Sequence, residues 1–153
     1  MAAVIDRTLR AHPHVAEHLR AAHDAAWSVV DPVLLELCRL RIAQLLGDEA
    51  ELATRIATAR DAGLGDEAIA ELATWPTSAR IDDRQRACLA LCEQFVIDVA
   101  NVTPDQTAAV TEAIGEQGLA DLVSALLVVE QRQRLRLAWN LLFDRAAGGV
   151  DGP

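Results

Sequence analysis

The chain has 153 residues, 52% of them hydrophobic and 3% aromatic, with no tyrosine. That length suits one domain with a real core, and an aromatic-poor composition rich in Ala, Leu and Val favours helix over sheet. Lysines and arginines number 14 against 23 acids, a net charge of −9; such a surface repels phosphate backbones, so nucleic acid is not expected as a partner.

No segment has the length and apolarity of a membrane span, so no membrane partner is expected. The opening MAAVIDRTLRAHPHV has no continuous apolar run and does not read as a secretory signal. Cys38, Cys88 and Cys92 form neither a disulfide framework nor a metal spacing. A reducing, cytoplasmic setting is the expectation, with no metal and no cofactor.

Residues 1–12 read as a loosely held start. A first helix is predicted from about Pro13 to Val29, with Val15, Leu19, Ala22 and Ala26 at helical spacing. It carries His14, His18 and His23, with His12 just before it. His14 and His18 share a face, but His23 is rotated away from them, so these histidines read as solvated or half-buried. Asp31-Pro32 starts a second helix, an acidic cap followed by proline in the first turn. Only Glu36, Arg39, Arg41 and Gln44 interrupt its apolar run to Leu46, which places it inside a protein or an assembly. Gly47 supplies the stop. Asp48, with Glu51 three residues on, opens a third helical pattern in the manner of a capping box and carries it toward Gly63.

A short helix is expected from Asp66 to about Thr74, ended by Trp75-Pro76, and then a loop over 77–81. Asp82 and Gln85 cap a further helix reaching about Ala100. Its stripe Cys88, Leu91, Cys92, Phe95, Val96 and Val99 puts both cysteines on the core face as small hydrophobes. Thr103-Pro104-Asp105-Gln106 starts the next helix, which ends near Gly115–Gly118. The longest pattern runs from Leu119 to Phe143, and 146–153 reads as a frayed tail. One all-α domain of six or seven helices over 13–145 is the expectation.

The stretch ELCRLRIAQLLG followed by ARDAGL resembles the core of the alkylhydroperoxidase D-like / carboxymuconolactone decarboxylase family. The resemblance extends to about residue 143 and implies an all-α, homo-oligomeric protein. The redox branch of that family carries Glu-x11-Cys-x2-Cys-x3-His. Glu36 falls on its glutamate, while Asp48 and Glu51 hold the cysteine positions and Arg55 the histidine position. Gln133-Arg134-Leu135 is similar to the Asn-Arg-Leu of the family's last helix. Thiol peroxidase activity is therefore not expected.

Two readings of these residues stand side by side. Asp48, Glu51 and Arg55 would share one helix face, with Glu51 and Arg55 in the favourable order for an ion pair. They then form a cap and a salt bridge, or a set of acid–base and anion-binding groups. Glu36 interrupts an apolar helix, where an unpaired carboxylate is costly. It pairs with Arg39, Arg55 or a group of the last helix, or it acts as a general acid or base. In the polar run Glu130–Arg134 the local reading is a Glu130–Arg134 pair, and the functional one sends Arg132 or Arg134 to Glu36 or an anionic ligand. The candidate catalytic residues are thus Glu36, Glu51 and Arg55, with Asp48, Arg132 and Arg134 lining a pocket. The function they suggest is binding or transforming a small carboxylated molecule, by decarboxylase-like or isomerase-like chemistry. The alternatives are a non-catalytic oligomeric scaffold or ligand-binding protein, and peroxide reduction through Cys38 or Cys88.

Overall fold

The structure, a computed structural model, describes residues 12–147. The expected loose ends, 1–12 and 146–153, lie almost wholly outside the described residues. Seven α-helices follow one another among them: α1 Pro13–Val29, α2 Pro32–Leu46, α3 Glu49–Leu52, α4 Ala57–Asp61, α5 Asp66–Ala70, α6 Asp83–Asp98 and α7 Pro104–Ala147. Short 3-10 turns, Leu72–Thr77 and Val99–Asn101, lie before and after α6. No strand occurs among the described residues. None of these helices is long and apolar enough to cross a membrane.

Local chemistry explains the boundaries. Asp31 accepts from the Leu34 N–H, and Pro32 sits where its missing donor costs nothing. Gly47 ends α2 at φ +68, in the left-handed region. There the Asp48 N–H reaches back to the Ala43 carbonyl at 2.8 Å. The Asp82–Gln85 box is reciprocal, each side chain meeting the other residue's backbone N–H. Thr103 and Gln106 do the same at the start of α7.

The sequence pattern differs from the structure at three junctions. The helix expected from Asp66 to about Thr74 is α-helical only to Ala70 and gives way to the 3-10 turn Leu72–Thr77, which runs through Pro76 instead of ending before it. The helix expected to run from Asp48 toward Gly63 stops at Leu52 and restarts at Ala57. The long C-terminal helix has no loop at its glycines. It turns at Gly115 (φ +80) and continues at once, so Gly118 is helical. A glycine tolerates positive φ without strain, which is all this break requires.

The helices surround one continuous apolar cluster. α2 lies at its centre, against α6 and α7, and every residue from Leu34 to Leu40 is buried. That run includes Glu36 and Arg39, 1% and 0% exposed, among leucines that are 0–2% exposed. Burying charge in such a place is tolerable only with a partner for each ion.

Candidate active site

The junction of α2 and α3 holds three acids and three arginines. α2 contributes Glu36 and Arg39, one turn apart. The α2–α3 turn and α3 contribute Asp48 and Glu51. α7 contributes Arg132 and Arg136. Arg39 is the hub. Its Nε donates to Glu36 Oε2 at 2.6 Å and its Nη2 to Glu36 Oε1 at 2.7 Å, a two-pronged contact. Its Nη1 donates to Glu51 Oε1 at 2.8 Å and to the Glu51 carbonyl at 3.1 Å. Its Nη2 also donates to the Thr54 carbonyl at 2.7 Å. All five guanidinium donors are used.

The acids are correspondingly occupied. Glu36 Oε1 accepts a further bond from the Ile56 N–H at 3.1 Å. Glu51 Oε1 accepts from Arg132 as well as Arg39. Asp48 pairs with Arg136, whose Nη2 also stands 3.7 Å from Glu51 Oε2. Asp48 keeps its capping role too, accepting from the Glu51 N–H at 3.1 Å. Gln133 braces the hub, its Nε2 donating to the Arg39 carbonyl at 3.0 Å. Burial pulls the Arg39 guanidinium down, yet the hydrogen bonds and charge of Glu36 and Glu51 more than offset it and its pKa is raised. Arg136 shifts the other way, lowered by burial and by the charge of Arg39.

This network explains the helix break. Arg39 takes the carbonyls of Glu51 and Thr54, and Glu36 takes the Ile56 N–H. Those backbone groups would otherwise continue α3. Arg55 therefore lies outside the helix, and the expected face shared by Asp48, Glu51 and Arg55 is not formed. Arg55 is exposed, its Nη1 bonded to the carbonyls of Leu52 and Thr54, and Glu51 pairs with three other arginines instead. Arg134 is exposed and pairs with Glu130, its Nη2 also reaching the Val96 carbonyl. Of the two arginines expected to reach inward, Arg132 does so, but onto Glu51 rather than Glu36. Arg136 was outside the candidate set. Its signal was its spacing: it stands four residues after Arg132, on the same face of one helix.

Two hollows flank the network. A notch of ≈ 60 Å³ is walled by Glu36, Arg55, Ile56, Arg60 and their neighbours. An open cleft of ≈ 280 Å³, which shares Ile56 with the notch, is walled by His23, Asp24, Trp27, Ser28, Ile56 and Thr58. His23 is half-buried, and its pKa is lowered by burial and by the charge of Arg132.

The thiols stand elsewhere. All three cysteines are buried in the core and free. Cys38 is raised well above the ordinary thiol range by its hydrogen bond with Cys92 and by burial. Burial pushes Cys88 up to about 12. A thiol held protonated and out of solvent is a poor nucleophile. Among the described residues no group of three or more His, Cys, Asp or Glu side chains is arranged to hold a metal ion.

A sequence model of the carboxymuconolactone decarboxylase family matches residues 13–94, more than half of the chain and all of α1 through most of α6. This chain belongs to the carboxymuconolactone decarboxylase family. The fold agrees with a crystal structure from Agrobacterium tumefaciens, a protein of unknown function described as a candidate antioxidant defence protein AhpD. The TM-score is 0.78 over 87% of this chain and 92% of that one, at 15% identity. At that identity the likeness concerns the fold alone. No curated protein matches the chain. In this family member the positions compared above with a reactive thiol pair are held by Asp48 and Glu51, and both carboxylates are ion-paired.

Proposed function

We propose that this carboxymuconolactone decarboxylase-family protein has no thiol peroxidase activity and binds a small carboxylated organic molecule beside its buried ion-pair network. One observation supports the first half: Asp48 and Glu51, the positions that the resemblance sets against the redox branch's cysteines, are each paired with arginine. The chain's own thiols are sealed in the core with raised pKa values at Cys38 and Cys88. The second half is supported by two arginines at the notch, whose wall also includes Glu36 and Asp66. Arg55 and Arg60 flank the notch over Glu36 and suit an anionic group. Glu36 is the acid–base candidate of this reading, with Arg55 as anion partner. Its oxygens already accept three bonds, so a substrate proton has to displace one of them.

That saturation favours a second reading, in which the network is structural and the protein is a non-catalytic ligand-binding subunit. Both readings are of a homo-oligomer in a reducing, cytoplasmic setting, which suits three free cysteines.

The test is peroxide consumption with hydrogen peroxide or tert-butyl hydroperoxide and dithiothreitol as reductant. We expect no consumption above the protein-free rate, and no change when Cys38, Cys88 and Cys92 are all replaced by alanine. Protein-dependent consumption that disappears in that triple variant refutes the reading.

A further inference from the structure

His23 is a titratable group beside the network that the proposed function leaves unused. It stands on α1 one turn before Trp27, their rings 6.1 Å apart and tilted by 58°. The cleft they wall, ≈ 280 Å³, is near the lower end of small-molecule sites, about 300 Å³. The notch at Glu36 is ≈ 60 Å³, well below the ~300 Å³ at which small-molecule sites begin.

The two ring nitrogens of His23 are not equivalent. Nδ1 is sealed from solvent and has no hydrogen-bond partner among the described residues. A proton there would be a buried donor without an acceptor. The proton is therefore assigned to Nε2, the nitrogen left to meet a ligand. Trp27 Nε1 is sealed as well, so that ring offers the cleft its apolar surface. The Ser28 hydroxyl is committed to the Ala25 carbonyl at 2.7 Å. Charged groups within reach of His23 are Asp24 on its own helix, Arg132 on α7, Glu51 on α3 and Arg39 on α2. Only Asp24 lines the cleft, and it is exposed at the rim.

We propose that the cleft between His23 and Trp27 binds a small aromatic carboxylic acid, its ring against Trp27 and a carboxylate oxygen accepting from His23 Nε2–H. The proposal rests on the carboxylate reading above and adds to it a place and a shape. An aromatic ring suits Trp27, since offset or edge-to-face aromatic pairs contribute beyond their buried area. The Thr58 hydroxyl, on the exposed first turn of α4, is a second polar contact for the same head group.

Benzoate is the probe, followed on the full chain by 1H–15N NMR, with benzyl alcohol as its uncharged counterpart. The Trp27 indole signal is assigned by loss in Trp27→Phe. We expect saturable benzoate shifts at the Trp27 indole and the Thr58 amide. Benzyl alcohol and the His23→Gln variant should each bind about tenfold more weakly or worse. Thr58→Trp fills the cleft from an exposed position, leaves the core untouched and should abolish binding. Unchanged affinity in Thr58→Trp overturns the proposal even where His23→Gln does not fold. Shifts confined to Arg55 and Arg60, lost in Arg60→Ala, overturn the location and leave the carboxylate reading standing. No saturable shift anywhere at about 10 mM benzoate removes both.

Discussion

A guanidinium offers five N–H donors in a planar fork, and Arg39 places all five inside the protein. Two carboxylates and two carbonyls depend on it. Removing one partner of a buried ion pair costs more than the pair contributes, because the other charge is left without compensation. Arg39→Met should therefore destabilise the protein by about 3–5 kcal/mol, read from urea unfolding midpoints at constant slope. Arg39→Lys should recover little of this. Lysine keeps the charge but has three donors on a point-like head, so neither the two-pronged contact with Glu36 nor both carbonyl bonds can be remade. A lysine variant as stable as the parent would mean that the charge, not the fork, holds the junction. The same logic applies to Glu36. An amide there turns a donor toward Arg39, so Glu36→Gln perturbs the fold as well as any chemistry. At this scale the sequence was half legible. Glu36 and Arg39 stood out as charges in an apolar helix, and a cationic partner for Glu36 followed from the cost of burying it alone. Which acid met which arginine across α2, α3 and α7 did not follow, since no local spacing encodes an 81-residue separation such as that of Glu51 and Arg132.

Helix starts and stops were the most legible elements, because caps act within four residues. Pro13–Val29 and Pro32–Leu46 match their expected spans, and the boxes at Asp82 and Thr103 are present. The break between α3 and α4 was not legible. Residues 48–63 have a helical pattern, and tertiary bonds from α2 override it by claiming their carbonyls and one N–H. The candidate face Asp48, Glu51 and Arg55 failed with that helix. How α1 docks carries a further consequence. The pKa of His23 on α1 is lowered from 6.5, first by burial and then by Arg132. Between the folded value and 6.5 the unfolded chain binds a proton that the folded chain refuses. Stability therefore rises with pH across that window, is complete above 6.5, and is lost as pH falls below it. Melting temperatures from pH 8 to pH 5 should show that decline, and His23→Gln should flatten the part due to this group. An equal slope in the variant would assign the decline to other residues.

At the scale of the molecule, the buried network cancels its own charge: Glu36, Asp48 and Glu51 against Arg39, Arg132 and Arg136. The net charge of −9 is therefore carried by residues outside the network, and the described surface also has apolar side chains. Val15, Val29, Ile97, Val99 and Leu127 are 46–67% exposed. Beside Leu127 on α7, an open groove of ≈ 410 Å³ is walled by Leu19 of α1 and by Gln131, Arg134, Leu135 and Ala138 of α7. Scattered single apolar residues need no explanation, but a groove walled by Leu19, Leu135 and Ala138 suits a covering surface. Charge argues for an intimate, apolar contact over a loose polar one, because copies carrying −9 each repel at long range. A second copy meeting the first across a twofold axis would place α1 and α7 of each against the other and cover both grooves at once. Sedimentation velocity at micromolar concentration should then report an assembly larger than 16.5 kDa. Leu135→Glu, which puts a charge into the groove wall, should shift it toward the monomer. High salt separates this apolar contact from a polar one, since screening relieves the repulsion between copies and should tighten the assembly. A protein that sediments as a monomer at every salt concentration would leave the groove with no partner of its own kind.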